Sequence, residues 1–558
     1  MKDLEVQISF INESVNRILC QIDKDPLSPT FGCAHLAYWR DKTSDVADMR
    51  RQEVMLTLSL LYSHDYPGSR WRKDKNLKFA VEALLVFWCK NQYSDGSLDE
   101  WYKGERAYAA AAFSTHAVAR TLRTMEDQLP ENIVSLARKN LKKTTYWLVN
   151  HEDLFKTNHQ AVGVAALAFA GKILNDDFLN NNAHKKLQSI INVQTKEGWF
   201  PEIGHMDIGY TFLTVEFVTM TMKLWGDWKH IELFHRAFDF ACEWIHPDLT
   251  VGEEYGVCHN PYLSRIAVIL MSKYSKRAAY LRHRLEKESL VFKGIAPTLA
   301  DDLRLLRWSY QPLLAYNYSK NFISTKSIEI EKIPLINSKV DTQIYHDAAL
   351  VRFACCKCTG VFAPVAGGLL RFFCANPEKY FTDFGYAIFS KNRFATNLTY
   401  NRSIKIQSTK DSFTFECSIS PVKKFMPSYW ARIGLRLACS TALGSKFARQ
   451  FINTIRKKKG TTINQSSANL SASKSSWSLK RKVSLKVDHV LVVDEITCCD
   501  SLTTNQLFFL ESIDDNWMKS SPITSKLTDL PEKIDCLTIT KIYCYDEIWR
   551  LSKISSKF

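Results

Sequence analysis

The stretch Thr157-Asn158-His159-Gln160-Ala161-Val162-Gly163-Val164-Ala165-Ala166-Leu167-Ala168-Phe169-Ala170-Gly171-Lys172-Ile173-Leu174 decides the first half of the chain. Polar residues open it, and a run of apolar and small residues follows that is too long for a strand. From His159 to Leu174 it reads as an amphipathic or buried helix. Outward from it, Arg51–Tyr62, Lys78–Lys90, Arg106–Met125 and Glu131–Asn150 on one side carry apolar residues at three- and four-residue intervals. On the other side His184–Val193, Thr211–Leu224 and Ile231–Ile245 do the same. A second stretch, Val483 to Ile496, alternates apolar and polar residues and is rich in valine, so it reads as a strand. Shorter stretches of that kind are Tyr345–Phe353, Gly368–Cys374, Tyr386–Ser390, Ile404–Gln407 and Ser412–Cys417. Helices first and strands afterwards predict two domains rather than an interleaved sheet. The boundaries expected are a helical domain over residues 1–305, a connection over 306–340 and an antiparallel β domain over 341–558.

The helical half carries a repeat of organisation. Helix starts are expected near Val54, Glu105, Asn158, Tyr210 and Pro261. A unit of that length fits one helical hairpin. Short connections make consecutive helices antiparallel, so every second helix begins at the same end of the molecule. The segments before those starts therefore gather at one rim, and their composition is unusual. They hold Glu100, Trp101, Tyr102 and Glu105, then Lys156, Asn158 and His159, then Trp199, Glu202 and His205, and finally Tyr255. Aromatic rings beside carboxylates, amides and histidines suit a sugar: rings cover the apolar faces of pyranoses and polar groups bond the hydroxyls. Thr157 and Gln160 have the spacing of a capping box, which would leave Asn158 and His159 free to project, and Asp207 is the expected cap for a helix carrying Tyr210.

Charge and composition narrow the partners. The 558 residues carry 74 Lys+Arg against 58 Asp+Glu, a net charge of +16 that suits a polyanion. The basic stretch between Gly444 and Val487 reads as a solvated loop, and no zinc-finger, RNA-motif or helix-turn-helix signature supports nucleic acid. An acidic polysaccharide or oligosaccharide is the expected partner. No run of apolar residues is long enough to span a membrane. The opening residues lack the pattern of a signal peptide, so a cytoplasmic protein is expected unless a leader has been removed. The 15 cysteines are odd in number and irregularly spaced, which predicts free thiols rather than a disulfide framework. Only His346 and His489 lie beyond residue 300, so neither a histidine-rich zinc site nor any cofactor is expected there.

Asn158-His159 followed by Tyr210, with the Gly198-Trp199-Phe200-Pro201-Glu202 and Asp207-Ile208-Gly209-Tyr210 block and Asp95-Gly96-Ser97 ahead of Glu100-Trp101-Tyr102, resembles heparinase II/III-like and alginate-lyase-type polysaccharide lyases. Some relatives of this kind are associated with bacterial surface polysaccharides. The resemblance implies an (α/α) toroid followed by an antiparallel β-sandwich, with a cleft between them. It implies β-elimination at a uronic acid. Asn158 and His159 would neutralise the substrate carboxylate, and Tyr210 would act as acid and perhaps also as base. A tyrosine base needs cationic neighbours, for which Lys156 and His205 are the candidates. From the β domain, His346 is expected at the cleft, with Tyr386 a second contributor. Two other functions fit the rim: a glycoside hydrolase using two of Asp99, Glu100, Glu105, Glu202, Asp207, Glu253 and Glu254, or a non-catalytic glycan-binding protein of polysaccharide biosynthesis.

Overall fold

The structure is a computed structural model that describes residues 2–153, 155–258, 260–287, 301–320, 341–354, 358–374, 380–390, 393–401, 404–409, 411–424, 428–460, 470–472, 477–486, 489–503, 507–512, 523–526, 533–544 and 550–557. The helices of the first half are α1 (Lys2–Cys20), α2 (Leu36–Trp39), α3 (Val54–Ser63), α4 (Lys75–Lys90), α5 (Tyr108–Met125), α6 (Glu131–Val149), α7 (Thr157–Leu174) and α8 (Asp177–Asn192). They continue as α9 (Ile208–Trp225), α10 (Ile231–Cys242), α11 (Arg265–Met271), α12 (Lys276–Lys287), α13 (Asp302–Trp308) and α14 (Tyr310–Lys320).

Two concentric layers follow from two kinds of helix. In α3 every residue from Val54 to Tyr62 is buried, and α7 and α9 likewise bury residues on all their faces. Such helices need protein on every side. In α8 the buried apolar residues Leu179, Ala183, Leu187 and Ile190 form one stripe, so its other face meets water. The inner ring runs α3, α5, α7, α9, α11 and α14, each packed on the next, and α14 returns to pack on α3. The hairpin partners α4, α6, α8, α10 and α12 lie outside, and α1 packs against α12 and α14. Helix α1 thus supplies the outer partner of α14. This is the expected toroid. Helix α14 and the end of α13 fall in the stretch read as a connection, and residues 321–340 lie outside the described ones.

The second half forms two antiparallel sheets. Strands β1 (Asp341–Tyr345), β2 (Leu350–Ala354), β3 (Cys358–Ala363), β4 (Leu369–Cys374) and β5 (Tyr380–Asp383) make a meander in sequence order. An 11-stranded sheet contains β6 (Tyr386–Ser390), β7 (Arg393–Thr396), β8 (Gln407–Thr409), β9 (Ser412–Lys424), β10 (Leu470–Ala472), β11 (Trp477–Leu485), β12 (His489–Thr503), β13 (Leu507–Ser512), β14 (Ile523–Lys526), β15 (Lys533–Cys544) and β16 (Arg550–Lys557). One core joins the sheets: Phe362 meets Phe413 and Phe415, and Phe372 meets Tyr543. The meander is covered on its other face too, which is why β3 is buried at every position. There Val361, Ala363 and Leu369 join the toroid core, and Tyr345 packs edge-on against Phe240 (5.3 Å) and Trp244 (5.1 Å). Each such large side chain contributes about 1.5–3 kcal/mol when fully buried. Arg352 pairs with Glu243 and Arg371 with Glu254 across the same junction.

Three local readings change. Tyr345–Phe353 is a hairpin, β1 and β2 around the turn 346–349, and Val483–Ile496 is another, the end of β11 and the start of β12. Alternation continues through so short a turn and hides it. The basic stretch is not simply a loop. Helices α15 (Tyr429–Ala438) and α16 (Ala442–Gly460) are inserted between β9 and β10, and only 461–469, 473–476 and 487 of that stretch lie outside the described residues.

Candidate active site

The start of α7 is held by the neighbouring rim segment. Its expected capping box does not form: Lys156 is the N-cap, without a side-chain bond. The Thr157 hydroxyl donates instead to the Pro201 carbonyl (2.5 Å), and the Asn158 N–H donates to the Glu202 carboxylate (3.3 Å). The Gln160 N–H, which a capping Thr157 would have satisfied, donates to the Lys156 carbonyl instead (3.3 Å), and a carboxylate from the next hairpin takes the orphan Asn158 amide. Two helices later Asp207 does cap α9, accepting from the Tyr210 N–H (3.0 Å), while its other oxygen accepts from the Cys258 N–H (2.8 Å). Gly209 is required in that first turn, since a Cβ there would come within 2.1 Å of the Asn260 carbonyl oxygen. Three rim segments are thereby locked together around Asn158, Glu202 and Tyr210.

Within this frame several polar atoms are buried. Asn158 is 1% exposed, and its side chain lies against the Glu202 carboxyl, which it lowers as a hydrogen-bonding neighbour. Glu202 Oε1 and Asn260 Oδ1 are buried with no partner at hydrogen-bonding geometry. Burying such groups is costly unless they are paired. His159 Nδ1 lies 2.8 Å from the Asp153 carboxylate, and its ring meets the edge of Phe113 at 5.9 Å. The Arg50 guanidinium lies over that same Phe113 ring, 3.7 Å from its centre, and donates to Glu53. From the β domain, the Tyr400 hydroxyl reaches His205 Nδ1 at 2.6 Å.

Burial sets the protonation states. It raises the Glu202 carboxyl to about 8, against the lowering charge of Lys156. It also lowers the His159 imidazole, with Lys156 acting in the same sense and Asp153 opposing. The ring is therefore neutral near pH 7. Asp153 is held below its ordinary value because the hydrogen bond and charge of His159 outweigh the upward push of burial. Tyr210 is pushed well above its ordinary value by burial and then by Cys258, Glu202 and Asp207, with Arg50 opposing. The expectation that Lys156 and His205 would activate a tyrosine base is not met. Lys156 acts on Glu202 and His159, and Tyr210 stays a neutral phenol.

Of the residues expected at the rim, Asn158, His159, Tyr210, Lys156, Glu202 and His205 come together. The others do different work. Glu100 pairs with Arg307 (3.0 Å), and Glu105 accepts from the N–H groups of Glu100 (3.3 Å) and Trp101 (2.7 Å), closing its own loop. Trp101 is 65% exposed, whereas Tyr102 is half-buried. Trp199 is buried behind His205, its Nε1–H donating to Glu197. Tyr255 is fully buried, with its hydroxyl at His246 Nε2 (2.9 Å). His346 is exposed on the turn whose Asp347 and Ala348 N–H groups donate to Glu197. Tyr386 is in the β core, donating to Asp494. Three residues at the mouth escaped the sequence reading: Arg50, Asp153 and Tyr400. Asp153, six residues before His159, had a signal within reach; the other two arrive from distant segments. A cavity of about 740 Å³ opens at the opposite mouth of the ring, lined by Arg120, Arg123 and Lys223 near inner-helix C-termini, where cations offset the helix dipole.

No protein-family model matches the chain, and no curated protein matches it. Solved structures do. The Streptomyces coelicolor A3 chondroitin AC lyase, solved in complex with chondroitin sulphate, aligns with a TM-score of 0.57 at 9% identity, over 91% of this chain and 68% of that one. The fold is that of the toroid-and-sandwich polysaccharide lyases. A tyrosine-to-alanine mutant of the same lyase aligns over the same shares with a TM-score of 0.55 and 9% identity. A heparinase III structure aligns at 0.40 and 10% identity, over 88% of this chain and 69% of that one. In this lyase fold the polar cluster lies at the N-terminal ends of inner helices α7 and α9, beside the β domain that supplies Tyr400.

Proposed function

We propose that the protein is a polysaccharide lyase that cleaves a uronic-acid-containing, anionic polysaccharide by β-elimination. The observation that carries this reading is the buried amide of Asn158, set between the Glu202 carboxyl, a neutral His159 and a neutral Tyr210. A uronate carboxylate seated there would accept a hydrogen bond from the Asn158 amide nitrogen, and the bond strengthens as charge moves onto the carboxylate. His159, oriented through Nδ1 by Asp153, takes the C5 proton at Nε2. The electron pair of that C–H bond forms the C4–C5 double bond, the C4–O bond breaks, and the leaving oxygen takes the proton of Tyr210. The imidazolium then returns its proton to the tyrosinate through solvent. His159 is base here and Tyr210 acid, because the site keeps the imidazole neutral and the phenol protonated.

The hydrolase reading has less support. It needs two free carboxyl groups, and apart from Glu202 the rim carboxylates whose side chains are described are engaged: Asp99 with Tyr93 and the N–H groups of Gly104 and Arg106, Glu100 with Arg307, Glu105 with its own loop, Asp207 with helix N–H groups and Glu254 with Arg371. The test is incubation with a panel of acidic polysaccharides while following the ultraviolet absorbance of unsaturated uronate. Absorbance that grows with wild type and is lost in Tyr210→Phe supports the lyase. Reducing ends without absorbance support hydrolysis, and retention on a glycan column with neither supports a binding protein.

A further inference from the structure

Helices α15 and α16 form a hairpin that leaves the β domain and is moored on the toroid rim. Cys439 and Ser445 are buried, and Ser445 packs so closely on Gly104 that a Cβ there would come within 2.5 Å of it. Arg436 pairs with Asp45 at 2.5 Å. The rest of the hairpin faces outward with large apolar side chains. Tyr429, Trp430, Leu437, Leu443, Phe447 and Phe451 are each between 62% and 76% exposed. Leu443, Phe447 and Phe451 follow one another at four-residue spacing and Trp430 and Leu437 at seven, so each helix presents a stripe rather than scattered residues. Patches of this kind on a soluble surface mark a docking site.

Charge selects the occupant. Residues 429–460 contain eight Lys/Arg, namely Arg432, Arg436, Lys446, Arg449, Arg456, Lys457, Lys458 and Lys459, and no Asp or Glu. A second copy of the hairpin would bring eight more positive charges against these, which opposes self-association. A nucleic acid or glycan would satisfy the cations but leave the phenylalanines and leucines in water. Aliphatic and aromatic stripes flanked by basic side chains, with tyrosine and tryptophan in the first turn, match a helix pair lying in a bilayer interface. Among the described residues no helix is long and apolar enough to cross a membrane. We infer that the α15–α16 hairpin docks the protein on an anionic lipid surface, its apolar stripe entering the headgroup boundary and its basic residues meeting acidic headgroups. This stands independently of the lyase chemistry.

The test is co-sedimentation of the full chain with vesicles of phosphatidylcholine alone or mixed with phosphatidylglycerol. Wild type is expected to bind the anionic vesicles at least about tenfold more strongly, since each basic side chain near such a surface adds roughly fivefold. Phe447→Ser/Phe451→Ser and Arg432→Glu/Lys446→Glu should each lose most of this binding. Both change exposed residues, and unchanged circular dichroism and thermal midpoint verify folding. The proposal is overturned by equal affinity for both vesicles, by no binding, or by full binding in the Phe447→Ser/Phe451→Ser protein, which would mean non-specific attraction to the net charge. It is overturned equally if sedimentation equilibrium shows a wild-type dimer that the phenylalanine variant dissolves, since the face would then belong to a second copy.

Discussion

His159 holds its Nδ1 2.8 Å from the carboxylate of Asp153, six residues earlier in the chain, across the entry into α7. That bond fixes the ring's tautomer and leaves Nε2 for the mouth of the toroid. Asp153 also raises the imidazole against the lowering effects of burial and Lys156. Asp153→Asn should therefore reduce kcat/KM on a responsive polysaccharide by about 10²–10⁴-fold, the range for a positioned acid–base group. The acid limb of the pH–rate profile should move to lower pH, because removing the carboxylate lowers the imidazole further. An unmoved limb would place the base elsewhere.

Tyr210→Phe tests the other half of the chemistry. The phenol is held well above its ordinary value of 10.0 by burial and by Cys258, Glu202 and Asp207, so it is a proton donor over the whole neutral range. Its removal should lower kcat by about 10²–10⁴-fold while KM changes little, because the ring remains and only the transition-state proton is lost. The wild-type rate should show no alkaline limb from the phenol below pH 10. Steady-state absorbance of unsaturated uronate measures both.

The toroid was legible because its inner helices are apolar on every face and recur at nearly constant spacing: the starts found at Val54, Tyr108, Thr157, Ile208 and Arg265 follow those expected. Ring closure was not, since the contact of α14 with α3 and the pairing of α1 with α12 and α14 join opposite ends of the helical half. The same division holds at the site. Asn158, His159 and Tyr210 could be placed from helix starts alone. Arg50 and Tyr400 could not, because no local pattern brings an arginine ahead of α3, or a tyrosine after β7, to the starts of α7 and α9. The capping box failed for a related reason: Thr157 and Gln160 have the right spacing, but the Thr157 hydroxyl goes to the Pro201 carbonyl, 44 residues away, and the Gln160 N–H to the Lys156 carbonyl. The α15–α16 hairpin was overlooked because its lysine run and lack of acids read as a solvated loop, although its four-residue apolar spacing was present.

Glu202 should make the fold sensitive to alkali. Burial raises its carboxyl from 4.5 to about 8, so the folded state holds a proton that the unfolded chain has already lost. The stability conferred by the neutral form is complete below the unfolded value and is lost as pH rises through the folded one. Asp207, raised to about 7 by burial, adds to the same trend. Glu202→Gln cannot ionise and should show a shallower fall in thermal midpoint between about pH 5 and about pH 9. Equal slopes in the two proteins would assign the loss to other groups.

In the β-sandwich, Arg481 is fully buried, bridging Asp494 (2.7 Å) and Asp383 (3.1 Å), while Lys541 bonds Asp383 (2.5 Å) and Asp494 (2.7 Å). Two carboxylates thus face two cations, and the Tyr386 and Tyr543 hydroxyls donate to Asp494 and Asp383. Arg481→Met removes one cation and keeps much of the volume. Both carboxylates remain, with Lys541 alone to balance them, and Gly368 loses the guanidinium donor on its carbonyl. Breaking one side of a buried ion pair costs about 3–5 kcal/mol, so the denaturant midpoint of Arg481→Met should fall accordingly. Lowering the pH should narrow its gap from wild type, because a carboxylate that can protonate no longer needs the missing charge. If the variant unfolds at the wild-type midpoint, the cluster is being hydrated and contributes little to holding the two sheets together.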